Sequence, residues 1–163
     1  MFIVRNYKFI NPVIATISVS IALFVASCGD SKTSQCNRLI TAVNQGNSLI
    51  ENNKGKQVTT SLQLSQDLKN ITQSIQKLKL NDPELQKYQT NFVNVFDQLS
   101  QAIATAGKAL GETKNAEDSN TGRQKIYSAR KDIETTLTSA AKTAGQKSDN
   151  FGNQLNQYCS QSQ

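Results

Sequence analysis

The feature that most constrains the fold is an apolar pattern with helical spacing, which runs through most of the chain. Between residues 64 and 78, Leu and Ile recur at steps of four and three, the spacing of a heptad seam along one side of an α-helix. The residues of this seam are Leu64, Leu68, Ile71, Ile75 and Leu78. No segment alternates apolar and polar residues as a half-buried strand would. The pattern therefore predicts an all-α protein.

Breaks in the pattern divide it into four predicted helices, over residues 34–52, 56–80, 83–110 and 123–158. Ser34 is the expected N-cap of the first helix, and the run from Asn52 to Gly55 ends it. Asp82 and Pro83 mark the start of the third, because an Asp side chain caps the first turn and Pro suits the first helical position.

The third and fourth predicted helices carry the longest apolar stripes. The third has Leu85, Tyr88, Phe92, Val95, Phe96, Leu99, Ile103, Ala106 and Leu110. The fourth has Ile126, Ile133, Leu137, Ala140, Ala144, Phe151, Leu155 and Tyr158. Gly145 and Gly152 weaken the fourth helix, and a break near Gly145 is the alternative, but we expect it to run unbroken.

Four amphipathic helices with short connections favour an up-down-up-down four-helix bundle. Because the helices differ in length, the alternative is a set of three long helices with the shorter first helix as a cover. An unbroken fourth helix also places the loop at 112–122 at the opposite pole of the bundle from residue 158.

The N-terminus has the organisation of a bacterial export signal. Arg5 and Lys8 precede an uncharged run at 13–25, which is shorter than the roughly 20 apolar residues that cross a bilayer. The sequence Val-Ala-Ser-Cys at residues 25–28 then resembles the lipobox of bacterial lipoproteins. The resemblance implies cleavage before Cys28 and transfer of diacylglycerol to its sulfur, with further acylation of the new amine. An ordinary secretory signal or an uncleaved anchor is the alternative.

These features divide the chain into a signal peptide at 1–27, a lipidated Cys28 with a polar tether at 28–33, and a helical domain at 34–163. Two or three acyl chains on one residue would hold the domain stably to a bilayer. We expect it on the extracytoplasmic side, in the periplasm or the thylakoid lumen, with the 112–122 loop facing away from the membrane.

The two cysteines other than Cys28 are expected to form a disulfide. Cys36 begins the first helix and Cys159 ends the fourth, so an up-down-up-down bundle brings them to one pole. Export permits disulfides, and assigning Cys28 to lipid leaves an even number. A redox pair is the less favoured interpretation, because redox dithiols usually lie close together in sequence.

Composition excludes several kinds of chemistry. The chain has no His, so a Ser-His-Asp or Cys-His arrangement is impossible. Its 18 basic and 12 acidic residues give a net charge of +6; without Arg5 and Lys8, 16 and 12 remain, a net charge of +4. The two signs are mixed along the chain, and no nucleic-acid partner is expected.

The remaining candidate sites have structural explanations. Tyr88, Phe92 and Phe96 could line a ligand pocket, but core packing is the favoured interpretation. Asp82 with Glu84 could bind a cation, although a helix N-terminus accounts for both. The densest basic group gives a possible interaction face for anionic lipid or an acidic partner, formed by Arg123, Arg130 and Lys131. We expect no catalytic, cofactor-binding or metal-binding residues.

Three short motifs in the helical domain carry a further resemblance. Together with the lipobox, Cys-Asn-Arg-Leu-Ile at 36–40, Asp-Pro-Glu-Leu-Gln-Lys-Tyr at 82–88 and Asn-Gln-Tyr-Cys at 156–159 resemble small uncharacterised helical lipoproteins of cyanobacteria. That group carries no established activity, and helical lipoproteins that attend photosystem II offer an analogy of architecture alone. The sequence as a whole therefore favours a non-enzymatic accessory protein that contacts another envelope or thylakoid protein. A small-ligand-binding or sensing module is the alternative.

Overall fold

The computed structural model describes residues 30–53, 61–113 and 118–161. These residues form four helices, α1 (Lys32–Asn53), α2 (Ser61–Gln76), α3 (Pro83–Thr113) and α4 (Asn120–Ser160). The described ranges contain no strand, so the predicted all-α fold is confirmed. The expected signal peptide at 1–27 and Cys28 lie outside the described residues. Residues 114–117 of the 112–122 loop lie outside them as well.

The helices form a ring in which sequence neighbours pack together. α2 packs against α3, α3 packs against α4, and α1 packs against the other three helices, whereas α2 and α4 make no contact within the described residues. The starts of α1 and α3 and the ends of α2 and α4 meet at one pole, which we call the cysteine pole after the bond between Cys36 and Cys159. The topology is therefore up-down-up-down, as the sequence predicts.

Two contacts fix how far α1 extends along α4. Cys36 is bonded to Cys159, and Asn47 accepts a hydrogen bond from Ser148 at 3.2 Å. The second contact lies eleven residues further from the cysteine pole than the first in both helices, so Asn53 faces about residue 142. The first half of α4 consequently extends beyond α1, which is not a cover but a full member of the ring.

The apolar core follows the predicted stripes most closely on α3. The stripe from Leu85 to Ala106 is buried throughout, and Leu110 near the end of α3 is half-buried. Leu68 and Ile75 of the α2 seam are fully buried, and its other members pack against the core. The predicted third helix and the seam of the second are thus confirmed.

The stripe predicted for α4 is buried only in its second half. Ala144 and Leu155 are buried, and Leu137, Ala140, Phe151 and Tyr158 pack against the core while partly exposed. Ile126 and Ile133 are half-buried and lie outside the core cluster. Ile126 and Ile133 are incompletely buried because this part of α4 has no α1 beside it. α4 runs unbroken through Gly145, as expected.

The helix boundaries correct the prediction in several places, and α3 ends at Thr113 rather than at 110. α1 begins at Lys32 rather than at 34, and Ser31 rather than Ser34 caps it, since Ser31 Oγ accepts from the Ser34 N–H at 3.1 Å. The expected tether at 28–33 is therefore shorter than predicted. α2 ends at Gln76 rather than at 80, and α4 starts at Asn120, where Ser119 accepts from the Gly122 N–H at 3.0 Å.

A close approach between α1 and α3 requires glycine at position 46. A Cβ atom on Gly46 would lie 2.6 Å from Cζ and 2.9 Å from Cε2 of Phe96. Phe96 is fully buried, so its ring has little room to yield. Gly145 on α4 offers a contrast, because nothing lies within 4 Å of its added Cβ.

We predict that Gly46→Ala is less stable than Gly145→Ala by about 1–3 kcal/mol, the usual cost of overpacking a core. Both exchanges gain the same helix propensity, of about 1 kcal/mol, so the difference isolates the contact with Phe96. Urea unfolding followed by circular dichroism measures it. Equal unfolding free energies for the two variants would show that α1 does not lie this close to Phe96.

Candidate functional site

The cysteine pole is closed by the predicted disulfide. Cys36 and Cys159 are bonded with their Cα atoms 5.9 Å apart, within the range that a disulfide requires. Both are buried, with exposures of 2% and 9%. The bond joins the start of α1 to the end of α4 over a sequence separation of 123 residues, and the expected pairing is confirmed.

Beside the disulfide, a buried glutamine joins α1 to the connection between α2 and α3. Gln35 Oε1 accepts from the backbone N–H groups of Asn81 at 2.6 Å and Asp82 at 3.1 Å, and its Nε2 donates to the Asp30 carbonyl at 2.7 Å. All polar atoms of this amide are satisfied in the interior, where an unpaired one would be costly. Sequence analysis did not single out Gln35, because one Gln in a Gln-rich chain gives no signal.

An arginine extends the same connection. Arg38 donates from Nη1 to Asp30 Oδ1 at 2.7 Å, pairs through Nη2 with Asp30 Oδ2, and donates from Nη2 to the Lys79 carbonyl at 2.9 Å. The hydrogen bond from Arg38 holds the pKa of Asp30 below its usual value. The residues expected to form a free tether thus include one, Asp30, that is bonded to the bundle.

The third element of the pole is the start of α3. Asp82 Oδ1 accepts from the N–H groups of Glu84 at 2.9 Å and Leu85 at 3.0 Å, which is the predicted cap. The Tyr158 hydroxyl donates to Asp82 Oδ2 at 2.9 Å, and Lys32 Nζ lies 3.5 Å from the centroid of the Tyr158 ring. The start of α1, the start of α3 and the end of α4 are therefore joined by one chain of polar contacts.

These contacts set the protonation of Asp82. Burial alone raises the pKa of this carboxyl group, but hydrogen bonds from two backbone N–H groups and from Tyr158, with the nearby charge of Lys32, outweigh burial and hold the pKa below its usual value. Burial and the bond to Asp82 in turn raise the pKa of Tyr158. The carboxylate is thus committed to capping and to Tyr158, which accounts for Asp82 without a cation.

We predict that the chain loses stability in acid partly through Asp82. A carboxyl group whose pKa is depressed by folding contributes stability above its unfolded-state pKa of about 3.9, and that contribution disappears as the pH falls through the folded-state value. Asp82→Asn keeps a capping oxygen but does not titrate, so thermal midpoints measured from about pH 5 to pH 2 should fall less steeply. Some acid dependence will remain through Asp30.

The control for this experiment is Asp132→Asn, on the exposed surface of α4. It should leave the acid dependence of the thermal midpoint as it is in the unmodified chain. Identical profiles for the Asp82 and Asp132 variants would contradict the role assigned to Asp82.

The predicted basic face lies on the part of α4 that extends beyond α1. Arg123 donates from Nη1 to Asp118 at 2.7 Å and from Nη2 to Asn120 at 3.0 Å, so it is held at the start of the helix. Arg130 and Lys131 are exposed and form no ion pair with any described residue.

Sequence analysis missed the aromatic member of this face. Tyr127 is 71% exposed, and it lies four residues after Arg123 and three before Arg130, the spacing of one helix face. Exposed Tyr and Arg side chains together are typical of protein interfaces. The signal was present in the spacing, but Tyr127 does not belong to the apolar stripe and so was not considered.

Tyr88, Phe92 and Phe96 do not together line a ligand pocket. Tyr88, Phe92 and Phe96 are buried, and Phe92 lies 6.3 Å from Phe96 and 6.2 Å from Phe151 between ring centroids. Tyr88 packs against Tyr158 at 6.1 Å. Core packing, the favoured interpretation, is what these contacts show.

Comparisons with known proteins found no match to this chain. No protein-family model matches it, and no curated protein or solved structure matches it at a significant level. Among the helices of the described residues, none is both long enough and apolar enough to cross a bilayer. No cluster of three or more Cys, Asp or Glu side chains that could hold a metal ion occurs in that part of the chain. A function must therefore be argued from the residues themselves.

Proposed function

We propose that the protein is a lipoprotein anchored through acyl chains on Cys28 to the extracytoplasmic side of a membrane. There it acts as a non-enzymatic accessory protein that contacts another envelope or thylakoid protein. The N-terminal signal and the residues Val-Ala-Ser-Cys support the anchor. The observation that carries the proposal is the disulfide between Cys36 and Cys159, because disulfides of this structural kind persist in exported proteins and are rare in the cytosol of most bacteria.

The short distance between Cys28 and the bundle would determine which end of the bundle lies close to the membrane. α1 begins at Lys32, so three residues lie between Cys28 and the helix, and the Cα atoms of Cys28 and Lys32 are at most about 14 Å apart. Asp30 is moreover bonded to Arg38, which shortens the free segment further. An acylated Cys28 would thus hold the cysteine pole close to the lipid headgroups, while the first half of α4 projects from the other end of the bundle.

That projecting half carries the face proposed to meet the partner. Tyr127 supplies a large exposed aromatic surface, and Arg130 and Lys131 flank it with positive charge. An acidic protein surface complements this composition. Anionic lipid is less suitable, because the anchor would hold this face away from the bilayer.

We predict that the mature protein carries acyl groups and begins at Cys28. Intact-mass analysis of the native membrane protein should show the chain from residue 28 with diacylglycerol and a further acyl group. Cys28→Ala should abolish both processing and acyl mass. The double variant Cys36→Ser/Cys159→Ser serves as the matched control and should keep the acyl mass. A mature chain without acyl mass would disprove the anchor.

We also predict that a partner protein contacts α4 at Tyr127. A photoreactive phenylalanine analogue placed at position 127 should cross-link to another protein in native membranes, and Arg130→Glu/Lys131→Glu should remove the cross-link. The matched control is Leu62, the other exposed large apolar side chain among the described residues, which is 50% exposed on α2. Cross-links of equal yield at positions 62 and 127, or none at 127, would contradict the proposed face.

A second candidate function is the binding of a small ligand inside the bundle. The region around Tyr88 and Phe92 is filled, as described above. A cleft beyond Phe96, between α2 and α4, favours this candidate, and its residues decide which ligands suit it.

A further inference from the structure

A cleft of about 580 Å³ opens into the bundle on the side where α2 and α4 do not meet. Its floor is the end of the α3 core, formed by Val95, Phe96, Leu99 and Ile103. These four side chains are buried, with exposures of 8% or less, so the floor is fixed by packing from below. The volume lies within the range of about 300–1,000 Å³ typical of small-molecule sites.

Side chains from the other three helices form the walls. Ile50 of α1, Leu64 of α2 and Leu137 of α4 line the cleft and are each partly buried against the core. All four helices thus contribute apolar groups, most of them aliphatic. A ligand that fills the cleft would bury an aliphatic body.

Small residues on α4 are the reason that the space exists. Where α4 passes the floor, it presents Ala141, Ala144 and Gly145, none of which reaches across to α2. A Cβ atom added at Gly145 would meet no atom within 4 Å. Larger side chains here would have closed the ring of helices with one more core layer.

The rim of the cleft carries polar groups and a carboxylate. Asn47 and Ser148, bonded to each other at 3.2 Å, lie on the side of α1 and α4, and the carboxylate of Asp149 follows Ser148 on α4. The described residues that line the cleft include no Lys or Arg beside this carboxylate. The rim therefore favours a positively charged or hydrogen-bond-donating group.

We propose that this cleft binds a small amphiphile, with an aliphatic body between the partly exposed side chains of Ile50, Leu64 and Leu137 and a cationic head at Asp149. The proposal specifies the second function given above. It is independent of the lipid anchor and of the face at Tyr127, so its failure would leave the acyl mass and the cross-link at position 127 unaffected.

The test compares three probes that share a short alkyl chain, hexyltrimethylammonium, hexanol and hexanoate. Each is titrated by calorimetry into the purified native protein, with titration into the same buffer without protein as the blank. Saturable binding is expected, strongest for hexyltrimethylammonium and weakest for hexanoate.

Variants locate the site. Gly145→Leu fills the cleft without displacing the backbone and should weaken binding by about tenfold or more, the effect of excluding a ligand body from its pocket. Gly111→Leu is the matched control, because Gly111 is also helical and exposed with nothing within 4 Å of an added Cβ. It should bind as the unmodified protein does. Circular dichroism should show both variants to be folded, since leucine is the better helix former.

Asp149→Asn tests the head group. It should remove the preference for hexyltrimethylammonium over hexanol while leaving the binding of hexanol unchanged. Absence of saturable binding for all three probes, or binding unaffected by Gly145→Leu, would overturn the site. Hexanoate binding as tightly as hexyltrimethylammonium would overturn the proposed ligand class.

Discussion

Phe92 and Phe96 lie one turn apart on α3, and both are fully buried where the helices converge. The rest of the bundle is arranged around these two rings. Phe151 of α4 packs edge-on against Phe92, and α1 approaches Phe96 so closely that only a glycine fits at position 46. Burying two aromatic side chains contributes several kcal/mol, which single surface contacts do not match. The positions of α1 and α4 relative to α3 therefore depend on how these rings are enclosed.

The packing around Phe92 and Phe96 is tight toward the cysteine pole and open toward the other end of the bundle. At the pole, the disulfide, the Gln35 amide and the carboxylate of Asp82 join three helices and the connection between α2 and α3. Gln89 adds to this, because its Nε2 donates to the carbonyls of Ile75 and Leu78 at 2.7 and 2.9 Å and so satisfies the end of α2. Beyond Phe96 the cleft opens between α2 and α4, which make no contact with each other anywhere in the described residues.

Much of the fold could be predicted from the sequence because it depends on periodicity. The stripe on α3, the cap at Asp82 and the pairing of Cys36 with Cys159 each follow from spacing, helix chemistry or topology. The polar contacts could not be predicted in this way. Ser65 and Ser100, for example, donate to each other's backbone carbonyls at 2.9 and 2.8 Å between α2 and α3, yet serine is common on the surface of this chain. Such pairs depend on the register of two helices, which no single helix encodes.

The two halves of α4 differ in how deeply their apolar stripe is buried. Its second half is buried because α1 runs beside it, whereas its first half has an apolar stripe of the same spacing but no α1 to cover it. Periodicity alone overestimated the burial of Ile126 and Ile133, because helix length and not sequence pattern decides where the ring of four helices is complete. The face at Tyr127 lies in the region where the ring is incomplete, and the cleft lies at the edge of that region, where the end of α1 still lines one wall. The helix length that reduced the core thus also left surface for binding, which is why both proposed sites lie away from the cysteine pole.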